Sequence, residues 1–171
     1  MGANNFSAYQ PGTDPEESFR AAVAAAEWED GAGGYTGTIA EKAVEGFRII
    51  RSEPVEPEEA ARIGSDVLRE DGDERWADIR DKWGRAGGIA VKAGLREHQV
   101  DIPETPGGYP DEDAAVAAAM TDRLVEGEHV VYGRSGSWKY EGRRVVGGSL
   151  TVPTEGAQVH TGWLWVGKAP T

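Results

Sequence analysis

Apolar positions recur at helical spacing most clearly in "TDPEESFRAAVAAAEWED", residues 13–30, where Phe19, Ala22, Val23 and Ala26 fall on one face. Thr13 as N-cap with Glu16 three residues on reads as a capping box. Pro15 suits the first turn, and Gly31 is placed to end the helix as a left-handed cap. Before this helix, "NNFSAY" alternates as a short strand. After it, "YTGTIAEK" is rich in strand formers, which predicts a strand over residues 35–42. In that strand Gly37 would be a bulge or a close backbone approach, and Lys42 a solvated strand-end side chain. "EGFRIIRS" is then the expected hairpin partner.

Further along, "EPEEAARIGSDVLRE" reads as a helix with acids in its first turn. Gly72 breaks it, Asp73 caps a second segment, and Trp76, Ile79 and Trp83 give that segment an apolar stripe. "GGIAVKAG" is a strand, "DIPETPGGYPDED" a loop, and "DEDAAVAAAMTDRLVEG" another helix with an acidic first turn. The tail is β throughout: "HVVYG", "GSWKYE", "RRVVGGSLTVP" and "QVHTGWLWVGK", with "YGRSGSWKYEGRR" and "VPTEGAQ" as hairpin turns. Both alternating faces of "VHTGWLWVG" are apolar, as in a central strand. The pattern predicts an α+β fold in a single compact domain. Its mixed or antiparallel sheet has about six or seven strands, with about four helices. The C-terminal strand completes the sheet that the first strand begins.

Composition narrows the chemistry. The 171 residues contain no cysteine, so disulfides, thiolate zinc sites and a cysteine nucleophile are excluded. No apolar run approaches a membrane span, and the N-terminus lacks a basic region followed by an apolar one. The expectation is a soluble cytoplasmic protein with no membrane partner. A net charge of -12 opposes general nucleic-acid binding. Arginine supplies 13 of the 18 basic residues, which suits a GC-rich genome or a salt-adapted cytoplasm. The charge is uneven: net -5 over residues 1–30, -4 over 56–85, -5 over 111–128 and +3 over 129–171. An acidic body thus carries a mildly basic C-terminal part.

Each candidate site has a plainer reading beside it. "GGYTGTIAEK" holds glycines, threonines and Lys42, but a phosphate loop runs from a strand into a helix, and here the order is reversed. Tyr132, Arg134, Trp138, Lys139, Tyr140, Arg143 and Arg144 interleave aromatic and basic side chains, as a single-strand binding platform does. An ordinary hairpin with cross-strand pairs has the same composition. Glu70, Asp71, Asp73 and Glu74 crowd together without the alternate spacing of a calcium loop, and read as a capped helix junction. His98, His129 and His160 lack metal-ligand spacing, and His160 reads as a hydrogen-bonded structural histidine. Ser135 and Ser137 lie near Lys139 with no nucleophile motif around them. These residues point to no cofactor, no metal and no catalytic group. Trp28 is the odd one out, lying about 180° around the first helix from its apolar stripe. Glu27, Glu29 and Asp30 surround it, so it is either covered by a second layer or exposed as a protein-binding anchor.

"MGANNF", the helix ending in "AEWEDGAGGYTGTIAEK", then "RDKWGRAGGIAV" and a terminal "GWLWVGKA" together resemble a family of small uncharacterised proteins of actinobacteria, their phages and haloarchaea. The resemblance covers residues 1 to about 51, about 71 to 93, and more loosely 161–169, with "GYTGTIAEK" and "DKWG" its specific words. It carries no known activity and hence no catalytic residue. It implies a core of residues 1–94 with 159–171, because family members run almost directly from the "GGIAV" strand to the terminal strand. Residues 95–158 are then an insertion, an acidic helix plus β-hairpins, packed on that core.

The function these features favour is a non-catalytic protein-interaction module with an unidentified protein partner. Its sharpest form is a viral or mobile-element inhibitor of a host protein, acting in anti-defence or by nucleic-acid mimicry, with carboxylates occupying a basic groove. The second expectation is a small enzyme or nucleotide-binding protein using Lys42, the glycine turn and an acidic cluster at a shared pocket. The third is single-stranded nucleic-acid binding through the 132–144 hairpin.

Overall fold

The computed structural model describes residues 2–31 and 33–171. In chain order the elements are β1 (Ala3–Pro11), α1 (Pro15–Asp30), a 3-10 turn (Ile39–Lys42), β2 (Phe47–Val55), α2 (Pro57–Leu68), a 3-10 turn (Glu74–Trp76), α3 (Ala77–Arg80), β3 (Ala86–Ala93), β4 (Arg96–Ile102), α4 (Glu112–Met120), β5 (His129–Val130), β6 (Ser135–Glu141), β7 (Arg144–Glu155) and β8 (Val159–Pro170). The α+β class and the four helices are as the pattern predicts. Among the described residues eight strands, rather than six or seven, are divided over two sheets. The chain divides into two compact units, residues 1–92 with 160–171, and residues 93–159.

The first unit holds a sheet of order β1-β8-β3-β2. The terminal strand is central, as its two apolar faces predict. Trp163 and Trp165 of β8 pack with Phe6, Phe19, Val23 and Ala90. Leu164 and Val166, on the alternate positions, join Val55, Ala60, Ile89 and Ile63. One face of the sheet is therefore covered by α1 and the other by α2, because strand side chains alternate with period two. The buried indoles are satisfied: Trp165 Nε1 donates to Ser18 Oγ at 3.1 Å, and Trp163 Nε1 to the Thr13 carbonyl at 3.0 Å. The N-cap of α1 is Asp14, not Thr13, and its carboxylate accepts from the Glu17 N–H at 2.8 Å. Pro15 is the first helical residue, and a proline pushes the residue before it out of the helical region, so the cap falls there. Gly31 ends the helix at φ 87, its N–H on the Glu27 carbonyl.

Two predictions for this unit are corrected. Residues 35–42 are not a strand. Gly34, Tyr35 and Gly37 have positive φ, Thr38 caps the 3-10 turn through the Ala40 N–H, and Glu41 accepts from both the N–H and hydroxyl of Thr36. These local bonds compete successfully with a ladder. Gly37 is the close approach expected, since a Cβ there would lie 2.7 Å from Thr171 Cγ2. With no strand before it, β2 has no hairpin partner and instead pairs in parallel with β3 through the α2 crossover.

In the second unit β7 is central, flanked by β4 on one side and by β5 and β6 on the other. Val100 and Ile102 of β4 and Val145, Leu150 and Val152 of β7 bury their side chains with Ala115, Val116 and Met120 of α4. β4 was not foreseen, because "REHQVDI" alternates with charged residues on its open face. The hairpin turn before β7 is present at Gly142, φ 62. "VPTEGAQ" is not a hairpin turn, since β7 and β8 belong to different sheets.

Candidate interaction surface

The last turn of α1 presents Trp28 with 90% of its surface exposed. Phe19, Ala22 and Val23 use the buried face of the helix, which leaves Trp28 on the open one. Glu27, Glu29 and Asp30 are exposed around it, and the turn holds no basic residue. A helix C-terminus is the negative end of the peptide dipole and is stabilised by cations. Three carboxylates there repel both one another and the terminal carbonyls. The sequence left open whether Trp28 is covered; it is exposed.

A second exposed aromatic group in this unit is held from below by a buried charge. Lys42 is 0% exposed, which corrects its expected place in solvent. Its Nζ donates to the carbonyls of Asp81, Lys82 and Gly84 at 3.3, 2.9 and 2.8 Å. An ammonium has three donors, so all are occupied and none remains for a phosphate. Burial pulls the Lys42 pKa down, and the carboxylates of Asp81, Glu45 and Glu41 push it back up. The turn it grips is fixed twice more. The Asp81 carboxylate accepts from the Trp83 N–H at 2.9 Å, and a Cβ at Gly84 would overlap the Asp78 carbonyl. From this turn Trp83 projects 51% exposed, edge-on to Tyr35 (54% exposed) at 6.2 Å between ring centroids. Trp83 thus leaves the predicted apolar stripe, of which Ile79 is fully buried. The side chains of "GYTGTIAEK" and the backbone of "DKWG", the two words singled out in the sequence, are in contact.

The basic hairpin of the second unit is occupied by its own acids. Arg134 pairs with Asp113 at 2.7 Å and with Glu112 at 3.3 Å, and lies 5.8 Å from the centre of the Trp138 ring. Lys139 pairs with Glu104 at 2.6 Å, and the Tyr140 hydroxyl donates to Glu112. Arg144 donates to the carbonyls of Gly107 and Gly108. Trp138 packs against the unit's core, so its ring is not a free stacking face. Tyr132 and Arg143 are exposed. Arg134, Lys139, Tyr140 and Arg144 are therefore engaged by α4 and the loop before it rather than by one another across the hairpin.

Other candidates resolve similarly. Asp71 is held by Arg69 at 2.9 Å and Asp73 by Arg75 at 2.8 Å, while Asp73 also caps the Arg75 N–H. Among the described residues no group of three or more His, Asp or Glu could hold a metal ion. A groove of about 620 Å³ contains Ile50, Ile63, Asp71, Asp73 and Trp76, but neither Lys42 nor the glycine turn. His160 Nε2 donates to the Gly162 carbonyl at 3.0 Å, and exposed His129 meets Glu155 at 2.9 Å. His98 is nearly buried and donates to Glu128 at 2.9 Å. Glu128 is the group the sequence did not single out. Burial raises its pKa, but the Thr154 hydroxyl, the Val125 N–H, His98 and Arg96 outweigh burial and hold it at about 2. Its signal was a glutamate at the rim of a turn, "VEGEH", which is common and carries no specificity.

No family model, curated protein or solved structure matches the chain. Of the eleven side chains the sequence put forward, the structure groups Glu27, Trp28, Glu29 and Asp30 on one helix end in the first unit. Tyr132, Arg134, Trp138, Lys139, Tyr140, Arg143 and Arg144 lie in the second unit.

Proposed function

We propose that this chain is a non-catalytic protein-interaction module that binds a basic protein through the α1 end. The observation that carries the reading is Trp28, almost fully exposed among Glu27, Glu29 and Asp30, with no cation in the turn. A large aromatic side chain on a rigid helix is a strong binding anchor, and burying it would recover the apolar free energy that exposure forfeits. The carboxylates supply on-rate and discrimination: a cationic partner relieves their mutual repulsion, whereas a polyanion is repelled. Trp83, fixed by the Lys42 clamp, offers a second aromatic contact on the same unit. In its sharpest form the module is a viral or mobile-element inhibitor whose carboxylates occupy a basic groove of a host nuclease or polymerase. The pairing of Arg134 and Lys139 with carboxylates, and the engagement of Arg144 by two carbonyls, weigh against the nucleic-acid alternative, and the full occupation of Lys42 against the nucleotide one.

The test is capture from lysate of the natural host at low salt, with wild type and Trp28→Ala in parallel. The expected result is a stoichiometric basic protein that wild type retains, that salt releases steeply, and that Trp28→Ala fails to hold. Equal retention by both chains, or retention of nothing but nucleic acid, overturns the reading.

A further inference from the structure

The two edges of the first sheet are built differently. β2 carries Arg48, Arg51, Glu53 and Pro54, and its register with β3 shifts twice. Charges, proline and irregularity are how exposed edges resist pairing with other chains. The second unit guards its edges in the same way. β4 carries Arg96, Glu97 and Asp101, and Arg123 caps the outward Gln99 carbonyl at 3.2 Å. β6 carries Lys139 and Glu141 and has a register shift beside Lys139. β1 has none of these along its length. Its nine residues include no charged side chain, its pairing with β8 is unbroken over nine positions, and its one proline is its last residue. It is an uncharged strand of regular register standing at an edge.

The hydrogen-bonding pattern shows what that edge offers. Gly2 and Thr171 exchange both backbone bonds, at 3.2 Å each. In an antiparallel ladder alternate pairs do so, here Asn4·Ala169, Phe6·Gly167 and Ala8·Trp165. The intervening Ala3, Asn5, Ser7 and Tyr9 turn their N–H and C=O groups away from β8. Among the described residues no strand lies on that side, and no hydrogen bond reaches the outward backbone groups of Asn5 or Ser7.

We propose that β1 is a self-association edge: two copies of this chain pair β1 with β1, antiparallel about a two-fold axis. The two four-stranded sheets then become one continuous sheet. The occupant is a second copy because identical antiparallel strands are self-complementary, residue i meeting j and j meeting i. β1 itself sets no like charges opposite one another, and the charged groups in the groove beside Asn5 and Ser7 are one of each sign, Arg69 and Glu70. A basic segment, by contrast, finds no carboxylate on this strand. The two bodies are each net -12 and repel at long range, so salt strengthens the pairing. That sign is opposite to the one expected for a basic partner at Trp28.

Sedimentation velocity of the full chain, from micromolar to near-millimolar and at two salt concentrations, tests this. Wild type is expected to dimerise, more tightly at high salt. Ser7→Pro removes an outward N–H without touching the bonds to β8, and Ser7→Lys brings a positive charge from each copy into the seam. Each is expected to raise the dissociation constant at least about tenfold. Melting curves check that each variant is folded, and Ser7→Lys decides alone if the proline variant is not. A monomer throughout the range, a dimer that Ser7→Lys leaves unchanged, or one that salt weakens overturns the proposal. Trp28→Ala is expected to leave the dimer intact, which keeps this result separate from that of the partner capture.

Discussion

Among the described residues each unit buries one lysine or carboxylate side chain, and the two have opposite sign. In the first, Lys42 sits beneath "DKWG" with three backbone carbonyls on its ammonium. In the second, Glu128 sits beneath β4 and β7 with Thr154, Val125, His98 and Arg96 on its carboxylate. The difference lies in the partners. Lys42 is held by main-chain carbonyls, which are neutral and fixed by the fold, and it organises a turn that displays Trp83. Glu128 is held partly by side chains, of which Arg96 carries charge itself. A buried charge costs several kcal/mol to desolvate, and both sites offset that by satisfying every donor or acceptor. The comparison predicts a clamp in the first unit that acid does not loosen and an acid-sensitive one in the second.

Lys42→Met breaks the comparison most sharply. The methionine fills similar volume but leaves three carbonyls without a donor, which is expected to cost about 3–5 kcal/mol. Denaturant unfolding monitored by tryptophan fluorescence reads it, and a loss under about 1 kcal/mol would show that the clamp is dispensable. The companion is Glu128→Gln, expected to cost about 2–3 kcal/mol because Arg96 loses its counter-charge and the site its carboxylate acceptors.

Acid titration sharpens the contrast. The folded pKa of Glu128, about 2, lies below the ordinary 4.5. A depressed carboxylate contributes stability that is fully present above the unfolded pKa and is lost as pH falls through the folded one. The expected loss is on the order of 3 kcal/mol between pH about 5 and 2. In Glu128→Gln this dependence is expected to flatten, whereas Lys42→Met should keep the wild-type slope. Identical acid profiles for wild type and Glu128→Gln would remove Glu128 as the cause.

Much of the fold was legible because local signals agreed with it. The α1 stripe, the acidic first turns of α2 and α4, and the two-faced apolar run of β8 each had one reading. The failures share a cause: a local bond or long-range partner that composition does not reveal. Residues 35–42 hold strand formers, yet Thr36, Thr38 and Glu41 bond among themselves and the backbone turns at Gly34 and Gly37. Lys42 read as a surface lysine because its three partners lie about forty residues on, and carbonyls have no sequence signature. The arginines of the second unit read as free because their partners, Glu112, Asp113 and the Gly107 and Gly108 carbonyls, come from the loop and helix before them. For Trp28 the helix position set it against the buried stripe but left open whether a second layer covers it, because that depends on what packs there and not on the helix.

The smaller effects test how the two units handle exposed charge. Arg134→Ala removes two ion pairs, one to exposed Asp113 and one to half-buried Glu112, and a ring contact with Trp138. The expected cost is about 1 kcal/mol at low salt, shrinking as salt is added. A thermal melt at two salt concentrations reads it, and an unchanged difference at high salt would mean that packing, not charge, holds the residue.

Trp28→Ala is expected to be the quietest substitution for folding and the most damaging for binding. Its side chain is exposed and belongs to neither core cluster of its unit, so the stability change should stay within about 0.5 kcal/mol. Replacing Glu27, Glu29 and Asp30 with their amides should slightly raise stability, because carboxylates at a helix C-terminus oppose the dipole. If those residues serve a basic partner, the amide variant gains in the melt and loses in the capture, and its loss is greatest at low salt, where charge steers association. A variant that melts higher and still holds the partner would leave the acids without a role in recognition and place the whole contact on the indole. The opposite signs of the two measurements on one set of side chains separate a surface shaped for binding from one that is only solvated.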